Sequence, residues 1–184
     1  MKINKAVTLI EVLMVMAIIG VLAGAGSWIM AYTVKNSVFI PNQMGVDKLA
    51  DDALDIMIEG DSQAHGLRFS RTITAISALR VDFINQDGQF VYYRWNNLTN
   101  KLFRSINGGV EVNMPAYSSA AGLTISGKLS SMFAYYDAAG AITVIPANVR
   151  RIEIILIAKS GTGLYNDWQG SSEQASSIAV DRLQ

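Results

Sequence analysis

The chain has no cysteine, which excludes disulfides, thiolate nucleophiles and cysteine-ligated metals together. It has a single histidine, His65, so neither a His–His metal pair nor a Ser–His couple backed by a second imidazole can be assembled. Next to Gly66, that histidine reads as a turn or helix-end residue. Net charge is absent as well: 15 basic residues balance 15 acidic ones, leaving no global basic field of the kind nucleic-acid binding uses. No P-loop is present, because Ser160-Gly161-Thr162-Gly163 lacks the lysine that would follow it. With these absences no enzyme class has residues to work with. No cofactor is expected, nor any nucleic-acid partner.

One absence is local. From Val12 to Val34 runs a stretch of 23 residues without a charge, longer than the roughly 20 a helix needs to cross the hydrocarbon of a bilayer. What precedes it is unusual: Lys2 and Lys5 with no acid, then Glu11 inside the apolar texture. A carboxylate costs about 2.5–3.5 kcal/mol at a bilayer centre, less near an end, so it is rarely found there without a partner. Positive charge ahead of a span keeps that end cytoplasmic and sends the rest of the chain across. A secretory signal peptide would use Ala23-Gly24-Ala25 as its cleavage site. Glu11 inside the apolar core, and the apolar continuation to Tyr32, argue against that. An ordinary single-span anchor would leave Glu11 without a purpose.

The residues Lys5-Ala6-Val7-Thr8-Leu9-Ile10-Glu11-Val12-Leu13 closely resemble the processing motif of the type IV pilin superfamily. That superfamily comprises pilins and the pseudopilins of type II secretion and competence. The resemblance implies a leader of residues 1–6 cut by prepilin peptidase between Ala6 and Val7, N-methylation of Val7, and an assembly role for Glu11. It departs from the family's usual pattern in Ala6, where glycine is common, and in Val7, where phenylalanine or methionine is. Cleavage would create an amine at Val7, and a neighbouring subunit's Glu11 could pair with it. Breaking a buried pair costs about 3–5 kcal/mol, so such pairing would favour one stagger of packed helices. Gly20, Ala23, Gly24, Ala25, Gly26 and Ser27 supply small residues for close approach.

At 184 residues the chain accommodates this helix and one further domain with a self-supporting core. The expected class is α+β, a long kinked N-terminal transmembrane helix followed by a mainly antiparallel sheet domain. The expected organisation is a leader at 1–6, a helix at 7–40, and an exported domain at 41–184 with a short helix near 44–60. Pro41 motivates the division, since proline removes a helix hydrogen bond and disfavours helix at the residue before it. Beyond it Val46, Leu49, Ala50, Ala53 and Met57 recur at helical spacing, with Asp47, Asp51, Asp55 and Glu59 on another face. Four acids spaced by four repel one another, so they read either as a solvated face or as subunit contacts.

The acidic stretch 47–61 is followed by a basic one, Arg68, Arg71, Arg80, Arg94, Lys101 and Arg104. The two could steer contact between subunits or meet within one domain. Alternation marks strands from about Thr72, at Leu79–Phe83, Phe90–Trp95, Lys101–Ile106, Val110–Asn113, Ser131–Asp137, Ala141–Ile145, Arg150–Ala158 and Ser176–Leu183. Asp87-Gly88 marks a hairpin. Ile152, Ile154 and Leu156 face one way and Ile155 and Ile157 the other, so both faces of that strand are expected to be covered. Trp95, Tyr92, Tyr93, Tyr135 and Tyr136 read as packing residues. Loops are expected at 115–122 and 160–175, the latter with Asn166, Asp167 and Glu173 as the nearest approach to a calcium ligand set, though without its spacing.

In element order the chain is similar to minor pseudopilin J of type II secretion and to W-type minor pilins. This resemblance implies a low-copy subunit near a filament tip. The implied partners are prepilin peptidase, other pilin-like subunits and inner-membrane lipid. The implied location is a single pass in a bacterial inner membrane, with an extracytoplasmic domain. A major subunit of a pilus-like or competence filament and a membrane-anchored binding module are the alternatives.

Overall fold

The computed structural model describes residues 8–115, 124–128, 130–160 and 170–180. The chain separates into two compact units, 1–40 and 41–184. A single helix, α1 (Leu9–Ile58), accounts for the described part of the first unit and enters the second. The two helices expected on either side of Pro41 are therefore one: the helical assignment continues through the proline. A proline inside a helix costs about 3 kcal/mol, and what offsets it lies just beyond. Val46, Leu49, Ala50, Ala53, Leu54 and Met57 are all buried, each large apolar side chain contributing about 1.5–3 kcal/mol.

The helix ends in a tight loop. Glu59 N–H and Gly60 N–H both reach Asp55 O, at 2.8 and 3.3 Å, and Gly66 N–H returns to Glu59 O at 3.0 Å. Gly60 takes φ +97°, and a Cβ on Gly66 would lie 2.5 Å from Ile58 O. Only glycine tolerates the first conformation at no cost and the second approach at all.

Two antiparallel sheets follow. The first is a meander, β1 (Ser70–Ser77), β2 (Arg80–Asn85), β3 (Phe90–Asn96), β4 (Lys101–Ile106) and β5 (Val112–Met114), each strand paired with the next. The expected Asp87-Gly88 turn is there, with Gly88 at φ +78°. In the second sheet β8 (Arg151–Lys159) is central. β9 (Ser171–Ala179) runs along its whole length on one edge, and β6 (Thr124–Gly127) and β7 (Phe133–Tyr136) share the other in succession.

Alternation places Val91, Tyr93 and Trp95 of β3 and Ile152, Ile154, Leu156 and Ala158 of β8 in one buried cluster with the C-terminal half of α1. Tyr93 Oη donates to Ile56 O at 3.0 Å, tying sheet to helix, and burial pushes its phenol pKa well up. Trp95 Nε1 donates to Ile125 O at 3.1 Å, and Tyr135 Oη, shared between Ser77 O and Arg80 O at 3.0 and 2.9 Å, ties the two sheets together.

Several expectations are corrected. Ala141–Ile145 is no strand. A lone bridge joins Ile142 to Tyr136, Ile142, Val144 and Ile145 are exposed, and Pro146 opens a short 3-10 turn, Pro146–Asn148. Ile155 and Ile157 are only half-buried, so one face of β8 is covered fully and the other in part. β9 begins five residues before the expected Ser176, and β6 was not anticipated. The loops expected at 115–122 and 160–175 lie largely outside the described residues.

Candidate assembly site

α1 starts at Leu9, so Thr8 is its N-cap and Glu11 its third helical residue. The two side chains form a reciprocal pair. Thr8 N–H donates to Glu11 Oε2 at 2.9 Å, Thr8 Oγ1–H to the same oxygen at 3.1 Å, and Glu11 N–H reaches Thr8 Oγ1 at 3.4 Å. This is a capping box, in which threonine and glutamate three residues apart satisfy helix-end donors that would otherwise lack partners. The carboxylate also sits where the helix dipole favours negative charge. The Thr-x-x-Glu spacing is the sequence signal for Thr8, which the charge pattern around Glu11 does not reveal. Ala6 and Val7, the expected cleavage and methylation positions, lie outside the described residues.

Beyond Glu11 the helix surface is apolar and exposed, from Val12 and Leu13 through Trp28, Ile29 and Met30 to Val34. Leu9–Ser37 is long and apolar enough to cross a membrane. Gly20, Gly24 and Gly26 have nothing within 4 Å of where a Cβ would stand, so this surface is open to a neighbour.

The acidic face of α1 divides. Asp47 accepts from Gln43 Nε2 at 2.9 Å, and Gln43 also brackets the start of β9, donating to Ser171 O and accepting from Ser171 N–H, each at 3.2 Å. Glu59 is ion-paired with Arg68. Asp51 and Asp55 are exposed. The acidic and basic stretches thus meet partly within the domain, most tightly where Arg104 Nη2 donates to Asp61 Oδ2 and Gln63 Oε1, both at 2.9 Å. Arg104 is only 5% exposed.

Burial alone would raise the Asp61 pKa. Hydrogen bonds from Arg104 and from the Gln63 and Ala64 amides outweigh it and hold the carboxyl below its ordinary value. A carboxyl depressed in the folded state contributes stability that is complete above its unfolded pKa, near 4, and is lost as pH falls through the folded value. Asp61→Asn should therefore flatten the acid limb of stability below about pH 4. Asp61→Ala should cost about 2–3 kcal/mol at neutral pH, toward the low end for a broken buried pair because Gln63 remains and water reaches the site. Chemical denaturation of both variants across pH 2–7 checks this.

Arg80 grips Asp82 through Nε and Nη2 at 2.5 and 2.9 Å, with its guanidinium 3.9 Å from the Tyr92 ring centroid. Arg94 grips Glu111 in the same bidentate way, and Tyr92 Oη also donates to Glu111, at 3.0 Å. The Arg94 hydrogen bonds hold the Glu111 carboxyl below its usual range. His65 Nδ1 lies 2.7 Å from Asp87 Oδ2, with Phe69 edge-on to its ring. Tyr93, Trp95 and Tyr135 are buried packing residues, while Tyr92 and Tyr136 are half-buried. Of the calcium candidates, Asn166 and Asp167 lie outside the described residues. Glu173 is on β9, paired with Lys128 Nζ at 2.6 Å. Among the described residues no three His, Asp or Glu side chains gather as a metal site.

The family model for the prokaryotic N-terminal methylation motif matches residues 1–27. No curated protein matches the chain, and no solved structure does. The match covers the basic start, Ala6, Val7, the Thr8–Glu11 box and about two thirds of the apolar stretch Leu9–Ser37, and over those residues it supports a likeness to type IV pilins.

Proposed function

We infer that this protein is a filament subunit of the type IV pilin kind, matured by prepilin peptidase and assembled through its first helix. The observation that carries the reading is the methylation motif over residues 1–27, with Glu11 in the first turn of α1 just ahead of an uncharged, exposed stretch that runs to Val34. The peptidase removes residues 1–6, Val7 becomes the methylated N-terminus, and Glu11 pairs with the Val7 amine of a neighbour. Before assembly the chain crosses the inner membrane once, its N-terminus cytoplasmic and its sheet domain on the far side. The domain is structural, and no catalytic role is assigned to it.

Within that class we assign it to the minor subunits, pseudopilin J-like or W-type, acting at or near a filament tip. Support comes from the large sheet domain and from Trp28 on the helix surface, which makes close packing of many identical helices awkward. Coexpression with a prepilin peptidase tests the core of the reading. Intact mass of the membrane-extracted protein should fall by residues 1–6 and rise by one methyl group, and an unchanged mass would refute it. The minor assignment has its own test: long filaments composed mainly of this protein would overturn it while sparing the rest.

A further inference from the structure

The apolar part of α1 is longer than a bilayer requires. Leu9–Ser37 comprises 29 residues, about 43 Å of helix against about 30 Å of hydrocarbon. About 13 Å must lie outside the hydrocarbon or be absorbed by tilt, and hydropathy does not say at which end.

Two residues do. Trp28 and Tyr32, one turn apart, stack with ring centroids 5.9 Å apart and planes 15° from parallel. They are 70% and 57% exposed. Indole N–H and phenol O–H are polar atoms that hydrocarbon cannot satisfy. Two hydroxyls close by bond back to their own helix: Thr33 Oγ1 donates to Ile29 O at 2.9 Å and Ser37 Oγ to Val34 O at 2.8 Å. An aromatic ring cannot bend back in this way, so Trp28 and Tyr32 need a partner off the helix. Amphipathic rings of this type concentrate at the headgroup level of membranes.

We propose that Trp28 and Tyr32 anchor α1 among the phospholipid headgroups of the leaflet distal to the N-terminus, and that this anchor sets the depth of Glu11. The proposal rests on the membrane-spanning part of the reading above. With the distal boundary midway between the two rings, the proximal boundary falls about 20 residues earlier, near Ile10. Gly20 is then at the bilayer midplane and Lys35 on the aqueous side. Glu11 lies within a few ångströms of the proximal headgroups, where a carboxylate costs far less than at the centre. Thr8, which holds it, stands in the interface itself. The glutamate can therefore stay charged before any neighbour arrives. Centring the 29 apolar residues instead would draw both rings about 4–5 Å toward the hydrocarbon and set Glu11 outside it, among the proximal headgroups.

The cysteine-free sequence allows a direct test. The full chain carries one nitroxide at a time, on Leu13→Cys, Gly20→Cys or Ser27→Cys, in vesicles of phosphatidylcholine and phosphatidylglycerol. Depth is read as the ratio of accessibility to oxygen over a water-soluble nickel chelate. The expected ratio is several-fold higher at Gly20 than at Leu13 or Ser27, which should match each other. A ratio at Ser27 equal to or above that at Gly20 would overturn the proposal. Adding Trp28→Ala and Tyr32→Ala should move the maximum by about one helical turn, ~5 Å, and an unmoved maximum would also overturn it. Nickel access at all three positions would mean that the segment does not span at all, a failure separate from that of leader removal, which mass measurement reads independently.

Discussion

Ala6→Leu should abolish maturation. A peptidase that cuts after a small residue must admit that side chain into a confined pocket, and leucine adds three heavy atoms there. Inserting methylenes into a fitted space commonly costs 1–3 kcal/mol, and about 3 kcal/mol at a transition state slows cleavage by roughly two orders of magnitude. The variant should accumulate in membranes at the mass of the full 184-residue chain. Its domain should remain folded, since the described core runs from Val46 to Val180. Ala6→Gly, which restores the commoner residue, should be processed at least as fast as the natural sequence. Equal processing of the leucine variant would remove the peptidase from the account.

Substitutions separate the capping role of Glu11 from the assembly role proposed for it. As the carboxylate of a capping box it supports the first turn of α1 through Thr8. In the proposed assembly its charge pairs with a neighbour's amine. Glutamine serves a capping box nearly as well as glutamate but carries no charge. Glu11→Ala and Glu11→Gln should both insert and be cleaved, and both should lose at least about tenfold in recovery of pilin-like partners from membranes, the minimum for a pair worth more than 1.4 kcal/mol. If only the alanine variant loses recovery, capping is the function and the charge is incidental. Thr8→Val provides the converse, removing the hydroxyl while leaving the charge, and should reduce recovery less than either.

Local sequence signals are self-sufficient in part of the fold. The helix from Leu9, the Asp87-Gly88 turn and strands β2 to β4 carry strong period or turn chemistry of their own. They mislead where tertiary context decides. Pro41 is a strong local stop, yet the buried residues from Val46 to Met57 hold helix on its far side. Ala141–Ile145 has strand composition, but β7 offers it only a single bridge at Tyr136. β9 has little strand character in Ser-Ser-Glu-Gln-Ala-Ser-Ser, and it is a strand because the whole of β8 pairs with it. At the candidate site, Glu11 was legible as a misplaced charge. Thr8 carries only the ordinary Thr-x-x-Glu spacing, which becomes a capping box because the helix starts at Leu9. The Asp61–Arg104 pair joins residues 43 positions apart, a distance no local pattern spans.

The tyrosine hydroxyls have a consequence for how the protein can be made. Tyr93 fastens the meander to α1, and Tyr135 fastens the second sheet to the first hairpin. Both joins form and release with the fold itself, require no oxidant, and leave no wrongly paired intermediate to be repaired. The domain can be produced in a reducing or an oxidising medium without a foldase that handles thiols. Its folding is thereby uncoupled from the redox state of its surroundings.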